Sequence, residues 1–151
     1  MSAVDSSPIA DLNAIRALLE SAGLPTGDLA SARPEFAVIR ERGQVVAAGA
    51  LQRFGSAALL RSVVVVPQRR RGGLGGQMVV ELEHLARRTG VDQLILLTET
   101  AAAFFARRGY QIIDRTAAPK DMQQCEEFRL LCPSSATCMA KHLARFNEDP
   151  L

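Results

Sequence analysis

Apolar residues recur along the chain at two spacings, and each change of spacing predicts a change of element. In "DLNAIRALLESAGLP" residues Leu12, Ile15, Leu18, Leu19 and Ala22 fall on one face of a helical repeat. Asp11 is placed to cap its start, and Gly23 and Pro25 to stop it. The next stretch, "EFAVIRERGQVVAAGALQRFGSAALLRSVVVV", is broken only by the turn signals Arg42-Gly43 and Gly55-Ser56, which predicts three strands in an antiparallel meander. Its last run, Leu59 to Val66, is apolar nearly throughout, as suits a strand covered on both faces.

From Gly75 the period turns helical, with Met78, Leu82, Leu85 and Ala86 inward, Glu81, Glu83, Arg87 and Arg88 outward, and Gly90 as the end. "QLILLTE" follows as a buried strand, "TAAAFFARRG" as a short helix closed by Gly109, and "YQIID" as another strand. Strand, helix, strand, helix, strand begins as a parallel unit grafted onto the meander, so the fold class is α/β (α+β), a mixed sheet with helices on both faces. After Pro119, Met122, Cys125, Phe128 or Arg129, and Leu131 keep helical spacing. "ATCMAKHL" alternates as a closing strand, and "ARFNEDPL" is a polar, fraying tail.

A length of 151 residues suits one sizeable core, hence a single domain over 1–151. A net charge of +2 is only mildly basic, so nucleic-acid binding would need a concentrated patch. The one patch, Arg69, Arg70 and Arg71, has no interleaved aromatics to stack on bases, and nucleic acid is not expected as a partner. No apolar run approaches the roughly 20 residues of a membrane span, so membrane insertion is not expected either. Cys125, Cys132 and Cys138 form an odd set without a C-x-x-C pair and with no apolar signal segment ahead of them, which predicts reduced thiols in a cytoplasmic protein. His84 and His142 have no ligand partners at metal spacing, so no metal site is expected.

The most informative stretch is "RSVVVVPQRRRGGLGGQMVVELEHLARR", Arg61 to Arg88. A strand ending in proline, then Gly72, Gly73, Gly75 and Gly76, then a helix, gathers unpaired backbone N–H groups at a helix N-terminus. The helix dipole and the arginines make such a loop attractive to a phosphate or pyrophosphate. The Walker spacing with Lys-Ser/Thr is absent, and "GGLGG" does not match the G-x-G-x-x-G dinucleotide fingerprint.

"VVVVPQRRRGGLGG" resembles the V-x-P-x-x-R-x-x-G-x-G signature of the GNAT superfamily of acyl-CoA-dependent N-acetyltransferases, with Arg70, Gly73 and Gly75 at the signature positions. "TETAAAFFARRGY" resembles the segment after that family's fifth strand, with Phe105 four residues before Gly109-Tyr110. The likeness covers most of Glu35 to Tyr110 and implies a GNAT fold with a mixed sheet of about six to seven strands. "LLRSVVVVP", "LLTETAAAFF" and "EEFRLLCPSSATCMAKHL" further look like the small GNAT proteins linked to bacterial arsenic-resistance genes. That likeness implies a resistance or detoxification setting. Homodimers are common in the family, so self-association is an implied possibility.

The resemblance implies acetyl-CoA as cosubstrate, its pyrophosphate bonded by backbone N–H groups from Arg70 through Arg71, Gly72, Gly73 and Leu74 to Gly75. Its pantetheine arm would lie along Val63 and Val65 like an added strand, carrying the thioester into the gap between the fourth and fifth strands near Phe105. An acceptor amine would attack directly, so catalysis would rest on orientation and proton removal. The family's acidic tyrosine aligns with Phe105, which has no exchangeable proton. Tyr110, the one tyrosine, is either that acid or a packing aromatic, and water is the default proton source. Gln52 stands where a basic glutamate is often found, leaving Glu99 and Glu127 as candidate bases.

Arg61 interrupts the most apolar strand, and a charge buried there without a partner costs several kcal/mol, so it must be paired or used. In a regular strand it shares a face with Val63 and Val65 unless a bulge intervenes. It either anchors an acceptor's carboxylate, phosphonate or arsenic oxyacid, or forms an internal salt bridge, with Glu35 or Glu99 as partner. The three thiols are possible soft ligands for trivalent arsenic or ordinary small core residues. The leading function is acetyl transfer to the amine of a small, anionic toxic compound; the alternatives are a non-catalytic acyl-CoA-binding module and a protein N-acetyltransferase.

Overall fold

A computed structural model describes residues 2–5 and 12–144. The predicted cap Asp11 and nearly all of the tail, 145–151, lie outside the described residues. The chain divides into two compact units, one formed by 1–52 and 60–85, the other by 53–59 and 86–151.

In the first unit, β1 (Ser2–Asp5), β2 (Glu35–Glu41), β3 (Gln44–Phe54) and β4 (Ala57–Val65) are neighbours in that order. β2 and β3 pair antiparallel around Arg42 and Gly43, both at positive φ, as the turn signal predicts. β1 pairs antiparallel with β2, Ser2 opposite Glu41 and Asp5 opposite Val38. Its four residues carry no periodic signal, and its strand state depends on that pairing.

Alternation along β3 sorts the helices onto two faces. Ala48 and Ala50, with Phe36, Val38 and Val64, pack against Ile15 and Leu19 of α1 (Leu12–Ser21) and Leu29 of α2 (Leu29–Ala32). Gly49, on the other face, meets α3 (Leu74–Arg88): a Cβ there would lie 2.7 Å from Leu82 Cδ1 and 2.9 Å from Met78 Cγ. Glycine is what allows α3 to seat on β3. Leu12, assigned to the inner face of α1, is exposed instead, and the buried face of that helix is carried by Ile15 and Leu19. Glu83, expected to point outward from α3, is buried, and Leu85 is only half-buried. The apolar face of α3 is set by Leu74, Met78, Val79, Leu82 and Ala86.

In the second unit, β4 pairs in parallel with β5 (Gln93–Thr98) over Ala57–Leu59, and β5 is followed across the sheet by β7 (Thr137–His142) and β6 (Gln111–Ile112), both contacts antiparallel. The parallel unit predicted from the element order is therefore present, and β7, arriving last, inserts beside β5. Between these strands lie α4 (Ala102–Ala106), α5 (Lys120–Gln123) and a π-helical turn, Glu127–Leu131, closed by Cys132 N–H donating to Glu127 O at 3.0 Å. The single helical spacing read after Pro119 thus resolves into two short pieces. Arg115 holds the segment from outside, its guanidinium donating to the carbonyls of Phe128, Pro133 and Ala136. Ala57, Leu59, Ile95, Met122, Phe128, Cys138 and Ala140 form this unit's core cluster. No helix among the described residues is long and apolar enough to cross a membrane.

Gly49→Val should lower stability by about 1–3 kcal/mol through overpacking, read as a fall in Tm of about 2–4 °C per kcal/mol. Combined with Leu82→Val, which reopens the space, the loss should be smaller than the sum of the two single losses. Additive losses would show that Gly49 and Leu82 do not compete for one volume.

Candidate functional site

β4 leads directly into the glycine- and arginine-rich loop. Pro67–Arg69 forms a short 3-10 turn, Arg70 is extended, and Arg71 and Gly73 take positive φ of 72° and 83°. Gly73 O accepts from Gln77 N–H at 3.0 Å, which opens α3. Helix geometry leaves the N–H groups of Leu74, Gly75 and Gly76 without an intrahelical acceptor, and no acidic residue stands in the first turn of α3. Arg87 and Arg88 close the far end, where positive charge suits the dipole. Leu74 is buried and anchors the turn, while Arg71, Gly72 and Gly73 are exposed. The loop thus presents N–H groups and the positive end of a 15-residue helix to solvent. The glycines fit an anion held close to the backbone: a Cβ on Gly72 would press on Arg69 O at 3.3 Å, and a side chain on Gly73 would be strained by its φ.

The three arginines are not equivalent. Arg69 pairs with Glu41, Nη2 to Oε2 at 3.0 Å, and Arg70 turns back so that Nε donates to Val65 O at 3.1 Å. Arg71 is exposed, with the loop's positive φ fixing its backbone. Val63 and Val65 are half-buried at the end of β4, whose pairing with β5 covers only Ala57–Leu59.

Arg61 occupies a different place from the one its spacing predicts. Ser62 takes a φ of 61°, which breaks the alternation of β4. Arg61 consequently does not share the face of Val63 and Val65; it reaches the α2 side, where Val64 packs. Arg61 is 3% exposed, and its guanidinium donates from Nη1 to Asp28 Oδ2 at 2.7 Å and from Nη2 to Asp28 Oδ1 at 2.6 Å, with Asp28 itself 1% exposed. Nη1 also donates to Gln52 Oε1 at 3.0 Å, and Nε to Ser62 Oγ at 3.3 Å. The internal salt bridge exists, and Asp28, which the spacing did not point to, is its bidentate partner. Asp28 precedes α2 and makes no side-chain cap to it; its carboxylate is committed to Arg61. Sequence reasoning missed Asp28 because its contact with Arg61 spans 33 positions, although an unanswered arginine in an apolar strand was a signal that a carboxylate had to exist.

The candidate acid and bases stand on three different segments of the chain. Tyr110 is buried edge-on to Phe105 with ring centroids 5.4 Å apart, under Lys141 Nζ at 5.5 Å, the placement of a packing aromatic. Phe105 is itself buried, edge-on to Phe104 as well. Glu99 stands exposed just beyond β5, and Glu127 is buried in the π-helical turn. Cys125 and Cys132 are half-buried and Cys138 is buried. Burial pushes the Cys138 thiol up to about 11, with nearby Arg115 opposing and Asp114 adding to the shift. A thiol held protonated is a poor soft ligand. Among the described residues no group of three or more His, Cys, Asp or Glu could hold a metal ion.

Residues 32–112 match the family of the acetyltransferase (GNAT) domain. The amino-acid acetyltransferase of Pseudomonas putida (strain GB-1) is 32% identical over 78 residues, 50% of this chain and 18% of that protein. The chain therefore spans less than a fifth of the length of the curated relatives it matches. N-acetylglutamate synthase from Neisseria gonorrhoeae, solved with coenzyme A and N-acetyl-glutamate, superposes with a TM-score of 0.82 at 21% identity, over 96% of this chain and 36% of that one. Rv2747 from Mycobacterium tuberculosis, solved in complex with CoA, gives 0.79 at 25% identity, over 94% of this chain and 99% of that one.

Removing one side of the buried pair leaves an uncompensated charge, so Asp28→Ala should cost about 3–5 kcal/mol in urea unfolding, and the double variant Asp28→Ala/Arg61→Met should lose less than Asp28→Ala alone. A cost for Asp28→Ala below 1 kcal/mol would show the carboxylate to be dispensable. Because the folded Cys138 thiol titrates above its ordinary value of 9.0, its contribution to stability is fully present below pH 9 and is lost as pH rises toward 11. Cys138→Ala should flatten that alkaline decline in urea midpoints; an unchanged decline would assign it to other groups.

Proposed function

The chain belongs to the acetyltransferase (GNAT) domain family, matched over more than half its length, and from that premise we propose that it transfers acetyl from acetyl-CoA to the amine of a small acceptor bearing an acid group. The observation that carries this reading is the loop from Arg70 to Gly75, whose exposed residues Arg70 to Gly73 lead into the N-terminus of α3 with the backbone turned for a pyrophosphate cradle. When bound, acetyl-CoA supplies an activated thioester. The backbone N–H groups of Leu74, Gly75 and Gly76 would hold its diphosphate, with Arg71 adding fixed charge and Gly72 and Gly73 giving close approach. Arg70 would exchange its bond to Val65 O for the ligand, freeing that carbonyl and the Val63–Val65 backbone to align the pantetheine amides.

Catalysis in this reading rests on orientation more than on a dedicated acid. Tyr110 is occupied in packing, so the departing thiolate takes its proton from water. Of the two carboxylates, exposed Glu99 is the proposed base, ahead of buried Glu127. The acceptors proposed are amino acids and amino-acid-like compounds whose acid group is a carboxylate, phosphonate or arsenic oxyacid. The amino-acid acetyltransferase relatives support the amino-acid frame. The segment Glu126 to Leu143 supports, by resemblance, a detoxification or arsenic-resistance setting in the cytoplasm, where the three free cysteines stay reduced.

The test is CoA-thiol release from acetyl-CoA against a panel of amino acids, their amides, and phosphonate and arsonate analogues. Transfer to acid-bearing amines is expected; tight acetyl-CoA binding with no transfer to any amine would make the protein a non-catalytic acyl-CoA-binding module. Gly73→Val, which places a β-branched residue at positive φ, should abolish acetyl-CoA binding by calorimetry while the far-UV CD spectrum is retained. Binding that survives the substitution would overturn the loop assignment.

A further inference from the structure

Gln52 is oriented by the chemistry of its neighbour. An arginine carries donors only, so the carboxamide atom 3.0 Å from Arg61 Nη1 must be the oxygen. The amide nitrogen then faces away from the guanidinium with two N–H donors, and it donates to no described residue. Behind it, the Arg61 charge is answered by both oxygens of Asp28 at 2.6 and 2.7 Å. The cluster is buried at Asp28 and Arg61 and reaches the surface at half-buried Gln52. It lies on β3 beside the stretch of β4 where pairing with β5 has ended at Leu59 and Ser62 turns to positive φ.

We propose that Gln52 is a specificity-determining residue that donates from Nε2 to an oxygen of the acceptor's acid group, with Arg61 and Asp28 as the positioning residues that keep its oxygen turned inward. The proposal rests on the reading of the chain as an acetyltransferase for acid-bearing amines. A bond from a neutral amide to an oxyanion is charge-assisted, so it favours an acid over its neutral analogue. Because Asp28 cancels Arg61, that preference comes from a directed donor and not from a free positive charge. Arg61 acts on the acceptor through Gln52.

Gln52→Glu tests this with little change of shape. One carboxylate oxygen keeps the bond from Arg61, and the other replaces the donor with an acceptor that repels an acid group. The KM of the best acid-bearing acceptor from the panel should rise about tenfold or more, with kcat changed far less. The same compound with its acid replaced by a carboxamide should show a rise of less than about threefold, since it loses only a neutral contact. Direct calorimetric titration of the two compounds should show the same split, and acetyl-CoA affinity should stay at its starting value. Arg61→Lys, which keeps the charge and loses the fork, should raise the KM of the acid-bearing acceptor in the wild-type background and have no further effect on Gln52→Met.

Equal losses for acid and carboxamide acceptors, or a fall in kcat with KM unmoved, would overturn the proposal. The second pattern would move the Gln52 donor to the reacting carbonyl. A wild-type protein that transfers acetyl to no amine would instead sink the acetyltransferase reading itself, so the two failures are told apart by the wild-type assay.

Discussion

A guanidinium in the interior of β4 has to be matched by a negative charge, because an isolated buried ion costs several kcal/mol. Asp28 supplies that charge with both carboxylate oxygens, and the geometry of the first unit follows from the match. The loop before α2 must come down onto β4, so Leu29 reaches the cluster of Ile15, Leu19, Phe36 and Val64. The backbone turns at Ser62, which brings Arg61 to the Asp28 side of the sheet and directs Val64 into that cluster. Gln52 Oε1 accepts from Arg61 Nη1 and so receives a fixed orientation.

The same bend bears on the end of β4. Beyond Leu59 the strand has left β5, and it runs on through Val63 and Val65 to Pro67 and the loop that opens α3. Two features of one segment, a strand released from its parallel neighbour and a helix start with no carboxylate in its first turn, are what the proposed cofactor site is built on. The arginines of the loop divide the work: Arg69 ties it to Glu41 on β2, Arg70 ties it to the last carbonyl of β4, and Arg71 is presented to solvent. α3 keeps its close seat on β3 because Gly49 leaves room for Met78 and Leu82.

Much of this was legible in the residues. The turn pairs Arg42-Gly43 and Gly55-Ser56 separate β2, β3 and β4 as read, and the helical period from Met78 to Ala86 and the alternation in "ATCMAKHL" identify α3 and β7. The loop signature pointed to the acetyltransferase (GNAT) domain family, which residues 32–112 match. The misreadings have a common cause. β1, α2 and the π-helical turn are too short to carry a period, and they exist because neighbours supply the contacts: β2 for β1, the Asp28–Arg61 pair for α2, Arg115 for the turn. Glu83 was placed outward by a helical wheel that has no knowledge of what packs beside it.

By itself the sequence determined the longer strands and helices, where a phosphate-bearing cofactor is expected, and that Arg61 needed an answer, because spacing, turn chemistry and the cost of a buried charge are local properties. The tertiary structure alone decided who gives that answer. Asp28, Gln52 and Arg61 are brought together from three separate segments by the stacking of α2 on the sheet, and the bulge at Ser62 reverses the face that parity assigns to Arg61. A pairing between residues 33 positions apart depends on the register of strands and the tilt of a helix, which no repeat in the chain records.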